Sequence, residues 1–139
     1  MLLNENELKT LRAVCDRVIP ADAWPGAWDA GVGDYILRLL QTDAALALPV
    51  YQNGLSSLEA EAQFRFNKGF ALLDVNAQDE LLHAIERGEA KAFWPIALQQ
   101  VLNTIINHTA EGYYANPGNG GNRDCASWKM MGWGDERDI

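Results

Sequence analysis

Trp94, Leu98, Val101, Leu102, Ile105, Ile106 and Thr109 recur at steps of three and four residues. That period gathers them on one stripe of an α-helix, whereas a strand would scatter them over both faces. A stripe of this length must be covered by other elements, so the helix is expected to be the central one of a bundle. Pro95 falls near its start, where a missing N–H does least harm, and the first turn is expected at Phe93 or Trp94.

The rest of the chain supplies the covering elements. Asn4 followed by Glu7 has the form of a capping box, and Leu8, Leu11, Val14, Cys15 and Val18 then repeat at helical spacing up to Pro20. From Ile19 to Gly33, Pro20, Pro25, Gly26, Gly31 and Gly33 punctuate a stretch with two tryptophans and predict an irregular loop. Asp34 is the expected start of a second helix, with Tyr35, Ile36, Leu39 and Leu40 on one face. A third is expected from about Pro49, aligning Tyr51, Leu55, Leu58 and Ala62 up to a break at Lys68-Gly69. Asn76 is the expected cap of a fourth, with Asp79 and Glu80 in its first turn, Leu81, Leu82 and Ile85 as its buried stripe, and Gly88 as its stop.

Beyond Gly112 the periodicity ends. Tyr113 to Trp133 mixes Pro117, Gly118, Gly120, Gly121 and Gly132 with aromatic and methionine side chains, and reads as an irregular tail that packs against something. No run alternates with a two-residue period, and no internal repeat occurs. The fold class that follows is all-α: one domain over residues 1–139, a small bundle of about five helices with long irregular connections and an aromatic, glycine-rich C-terminal tail.

With 11 basic and 19 acidic side chains the formal charge is −8, which repels phosphate backbones and anionic lipid heads and argues against nucleic acid as a partner. The most apolar stretch, Leu98 to Ile106, contains Gln99, Gln100 and Asn103 and is too short and polar for membrane insertion. Met1 to Glu7 lacks a basic region, an apolar run and twin arginines, so the expectation is a chain that stays inside or one whose export signal has been removed.

Catalytic and cofactor motifs are not found. Gly118, Gly120 and Gly121 follow Pro117 with no strand before them, which is not a dinucleotide fingerprint. Neither a Cys-x-x-Cys-His step for haem nor a Gly-Lys-Ser/Thr step for phosphate occurs, so no cofactor is expected in this chain. His83 with Glu86, and His108 with Glu111, are His-x-x-Glu pairs on one helical turn; helix surfaces produce such pairs by chance, so no metal ligand or catalytic residue is assigned. Cys125 or Ser127 would need a histidine close in space to act as a nucleophile. Cys15 lies on the apolar stripe of the first helix and reads as a small core residue, whereas Cys125 sits in a polar loop and is either bridged in an oxidising compartment or a partly buried free thiol.

Five tryptophans and four tyrosines are many for this length, and Trp24, Trp28, Tyr113, Tyr114, Trp128 and Trp133 fall in expected loops. Rings in such places either form a protein interface or close the ends of a small core.

The run from His108 through Thr109, Glu111, Gly112 and Pro117 to Asn119-Gly120-Gly121-Asn122, followed by Trp128 and Gly132-Trp133, resembles the ending of the gluconate 2-dehydrogenase subunit 3 family. Asp16-Arg17-Val18-Ile19-Pro20, Phe70-Ala71-Leu72-Leu73 and Leu81-Leu82 also look like its landmarks. Asn119 stands where the family has a tyrosine, a change the turn tolerates because Asn accepts the same backbone. The resemblance implies a small helical subunit without a cofactor of its own, in a heteromeric dehydrogenase for a sugar or sugar acid. Its implied partners are a large FAD-bearing subunit and often a cytochrome c subunit. It also implies that the small subunit stabilises the large one and escorts it through twin-arginine export, giving a periplasmic location after a cytoplasmic start.

On this reading Gly120 and Gly121 permit a tight turn, Asn122 bonds nearby backbone, and the tail presents Tyr113, Tyr114, Pro117, Cys125, Trp128 and Trp133 to the partner. Such an interface should bury on the order of 1,600 Å² or more. Two other readings remain: a stand-alone helical enzyme using His108 and Glu111, and a free-standing adaptor or ligand-binding domain.

Overall fold

Asn4 opens the first helix by reciprocal capping: its side chain accepts from the Glu7 N–H at 2.8 Å while the Glu7 carboxylate accepts from the Asn4 N–H at 2.8 Å. In the computed structural model, which describes residues 2–114, this helix, α1, spans Glu5–Val18. Leu3 before the cap is buried and Leu8 packs on the core, the two positions of a hydrophobic staple. Four further helices follow, α2 (Val32–Gln41), α3 (Leu48–Phe66), α4 (Val75–Glu86) and α5 (Leu98–Tyr114), with short 3-10 turns at Ala45–Ala47 and Phe70–Leu72. No strand occurs among the described residues, so the fold is all-helical, as the periodicities predict.

The helices meet in one cluster. Leu11, Val14 and Cys15 of α1, Ile36 and Leu40 of α2, Tyr51, Leu55 and Leu58 of α3, Leu81 and Ile85 of α4, and Val101, Leu102 and Ile105 of α5 are buried together. α5 packs against each of the other four helices, the central position its stripe implies. Two small residues set its approach. A Cβ on Gly54 would fall well inside van der Waals contact of the Val101 methyls, and one on Gly112 would lie 2.8 Å from Tyr35 Cδ2.

Several boundaries differ from the sequence reading. α2 starts at Val32 rather than Asp34, capped by Gly31 at φ 92°, a left-handed conformation that glycine adopts without strain. Gly33 is not a breaker but a packing position: its missing side chain makes room for the Trp28 ring, whose Cη2 would lie 2.7 Å from a Cβ there. α4 is capped by Asp74, whose carboxylate accepts from the Ala77 N–H at 2.8 Å, so Asn76 lies within the first turn. It ends as expected at Gly88, where the N–H of Glu89 returns to Ala84 O and that of Gly88 to Ile85 O, a Schellman closure with φ 76° at the glycine.

α5 begins at Leu98, four residues after Trp94. A residue preceding proline is disfavoured in helical conformation, and Trp94 precedes Pro95. At the other end Gly112 does not stop α5, because it is the crossing point with Tyr35, and the helix runs on through Tyr113 and Tyr114.

Candidate partner interface

The root of the expected docking surface is the C-terminal end of α5. Tyr113, expected to face a partner, instead points into this chain's own core: it is 1% exposed, and its hydroxyl donates to Pro25 O at 2.9 Å. The helical phase established by Val101, Ile105 and Thr109 carries it inward. Tyr114 packs edge-on against it, at 5.2 Å between ring centroids, and is 44% exposed. Pro117, Gly120, Gly121, Asn122, Cys125, Trp128 and Trp133 lie outside the described residues.

The Tyr113–Pro25 bond ties the loop between α1 and α2 to α5. That loop is held by local turns: Asp22 accepts from the Trp24 N–H at 2.9 Å, and Asp16 of α1 accepts from the Trp28 N–H at 3.0 Å. Trp28 is half-buried against the core, whereas Trp24 is 38% exposed. Two partly exposed rings, Trp24 and Tyr114, are thus each adjacent in sequence to one end of the same hydrogen bond. Of the loop aromatics, Trp28 and Tyr113 close the core, while Trp24 and Tyr114 stay partly exposed.

The His-x-x-Glu pairs do not form convergent sites. His83 Nδ1 lies 3.6 Å from Glu86 on a solvent-exposed face. His108 stacks on Tyr51 with ring planes 2° apart, and its Nδ1 is 2.7 Å from the Tyr51 hydroxyl. Burial moves the His108 pKa below its ordinary value, with the Glu111 charge opposing, so the ring hydrogen-bonded to Tyr51 favours its neutral form. Glu111 accepts instead from the Tyr35 hydroxyl, at 3.4 Å. Among the described residues no three His, Cys, Asp or Glu side chains converge on a metal position. Cys15 is buried as expected, its Sγ 3.5 Å from Thr109 Oγ1, and burial pushes its thiol up to about 12.

One constellation was missed by the sequence reading. Glu61, on α3, has a fully buried side chain that accepts from Arg65 Nε at 2.7 Å, Lys91 N–H at 2.8 Å, Ala92 N–H at 3.0 Å and Trp94 Nε1 at 3.1 Å. Arg65 also donates to Glu89 O. Burial would raise the Glu61 pKa, but the Arg65 bond, then the two backbone N–H groups and the indole, outweigh it and hold the carboxyl at about 2. The available signal was a carboxylate between Leu58 and Ala62 on the apolar stripe with an arginine four residues on.

The exposed surface includes a furrow along α1. Adjoining clefts of 170 and 340 Å³ share Lys9 and Ala71, and the larger is lined by Arg12, Arg17, Val75 and Gln78 as well. Arg17 is paired with Asp79 at 2.9 Å, which fixes α1 to α4 and leaves the furrow as a product of that packing.

No curated protein and no solved structure matches the chain. Gluconate 2-dehydrogenase subunit 3 matches over residues 5–134, from the first residue of α1 past the end of α5. The chain belongs to the gluconate 2-dehydrogenase subunit 3 family.

Proposed function

We propose that this chain is a non-catalytic small subunit that binds and stabilises a large FAD-dependent dehydrogenase subunit acting on a sugar or sugar acid. In this reading it also escorts that subunit through twin-arginine export to the periplasm, where a cytochrome c subunit joins the assembly. The observation that carries the reading is the family match over residues 5–134, which places the whole helical body within a family named as a subunit of a dehydrogenase. The described chemistry is compatible with that role. His108 and Glu111 are engaged with Tyr51 and Tyr35, and Cys15 is buried with its thiol protonated.

Co-expression with a large FAD-bearing dehydrogenase subunit from the same source tests the reading. The expected result is a stable yellow complex in which the flavin travels with the large subunit, and a large subunit that is unstable and retained in the cytoplasm when this chain is omitted. A large subunit that matures, exports and works fully alone would overturn it. So would an isolated small chain that oxidises a sugar acid or retains flavin.

A further inference from the structure

His108 and Glu111 lie one turn apart on α5, a spacing at which an imidazolium and a carboxylate attract each other. In the structure each is taken instead by a tyrosine of another helix. The Tyr51 hydroxyl of α3 lies 2.7 Å from His108 Nδ1, and the Tyr35 hydroxyl of α2 donates to Glu111 at 3.4 Å. Two cross-helix bonds thus hold the last turns of α5 against α2 and α3, and both end on groups able to pair with each other.

Burial sets the direction of the first bond. Tyr51 is 0% exposed, and a buried hydroxyl must send its proton to an acceptor. Among the described residues the acceptor it has is His108 Nδ1. The ring is therefore neutral with Nδ1 unprotonated, the charge state toward which burial already shifts it. A second ring proton would go to Nδ1, turning the acceptor into a donor and setting two donors against each other across the same 2.7 Å. Tyr51 has no second partner to turn to, whereas His108 is only half-buried and Glu111 is exposed one turn on.

The other helices around α5 leave that choice to the same pair. Glu111 is the charge that acts on the His108 ring. α1 contributes Cys15, buried against Thr109 with its thiol protonated. On the α2 side Arg38 and Asp43 line the cleft beside Tyr35. His83 and Glu86 of α4 are paired with each other on an exposed face.

We infer that His108 is an acid-operated latch: neutral, it ties α5 to α3 through Tyr51; protonated, it turns to Glu111, draws that carboxylate from Tyr35 and frees the last turns of α5 from both helices. Since the fold holds the neutral form, the latch is closed above the ordinary histidine value of 6.5 and opens below it. The inference concerns contacts within this chain and stands or falls apart from the subunit reading.

The test is a titration of the full chain from pH 8 downward, followed by NMR of 13C-labelled histidine and tyrosine rings. Two histidines and four tyrosines make the spectrum assignable by single substitutions. The Tyr51 and Tyr35 signals are expected to move with the midpoint of His108 while circular dichroism reports unchanged helicity. Tyr51→Phe removes a bond made only by the neutral ring and should raise that midpoint by about half a unit or more. Glu111→Gln, at an exposed position, should lower it by about 0.2 unit or more and stop Tyr35 from following. Tyrosine signals that stay fixed while His108 titrates would overturn the latch, as would a midpoint indifferent to Glu111→Gln. A midpoint that falls in Tyr51→Phe would mean that the charged ring stays on the hydroxyl, and helicity lost in the same step would mean global unfolding; either result also overturns it.

Discussion

The indole of Trp94 donates to Glu61 across 3.1 Å, which takes Trp94 off the α5 stripe to which its spacing assigns it and gives it to α3. The carboxylate that receives it also receives Arg65 and two backbone N–H groups, so its removal leaves a half-buried guanidinium without its carboxylate and three orphaned donors. Glu61→Ala should lower stability by about 3–5 kcal/mol, the range for breaking one side of a buried pair. Urea unfolding followed by circular dichroism would measure it, and a loss below about 1 kcal/mol, the scale of an exposed pair, would contradict the burial argument.

The same site fixes the acid limb of stability. Glu61 is held at about 2 in the folded chain against an ordinary 4.5, so its contribution is fully present above pH 4.5 and is lost as pH falls from there toward 2. The loss should reach up to about 3 kcal/mol at full protonation. His108 acts earlier and in the same direction. Its folded pKa is depressed, so stability begins to fall as pH drops through 6.5, where the unfolded ring takes up its proton first. Unfolding midpoints measured from pH 8 downward should show both steps, and Glu61→Gln should flatten only the lower one.

The helices were legible because each announces itself by spacing. Leu11, Val14 and Cys15, Leu55 and Leu58, and Val101, Leu102 and Ile105 lie on the faces their periodicities indicate. The Asn4–Glu7 box and the Gly88 stop are local events that need no tertiary information. What was not legible depends on contacts between distant residues. Gly33 and Gly112 look like breakers in sequence, but each is small because an aromatic ring, Trp28 or Tyr35, lies against it. Tyr113 looks like a tail residue until Pro25 O is found at its hydroxyl. Glu61 shows only Arg65 four residues on as a local sign; its other three donors come from a segment thirty residues on, and no local pattern encodes those.

Cys15 should be chemically silent in the folded chain. Burial raises its pKa to about 12, with the Thr109 contact lowering it and the Asp16 charge raising it by less, so almost no thiolate exists near neutrality. Because the folded value is raised, the associated stability is fully present below the ordinary value of 9.0 and is lost as pH rises above it. Peptide mapping after iodoacetamide treatment at pH 8 should find Cys15 unmodified in the native chain and modified in concentrated guanidinium. Rapid native labelling at Cys15 would mean that α1 opens away from α5.

The crossing of α3 and α5 gives a prediction in which two effects of opposite sign compete. Ala is intrinsically better than Gly inside a helix by about 1 kcal/mol, so Gly54→Ala should stabilise α3 if nothing stood in the way. Val101 does stand in the way: its Cγ2 would lie 3.0 Å from the new methyl and its Cγ1 closer still, on the central helix, which cannot retreat without disturbing its other contacts. Overpacking of that kind costs about 1–3 kcal/mol, and Gly54→Ala is therefore expected to destabilise the chain on balance. Val101→Ala alone should also destabilise, by opening a cavity. In the double variant the new methyl occupies part of the space the valine vacated, so Gly54→Ala made in the Val101→Ala background should change sign and stabilise. A double-mutant cycle in urea reads the coupling directly. Simple additivity of the two losses would show that the glycine is not there for the approach of α5.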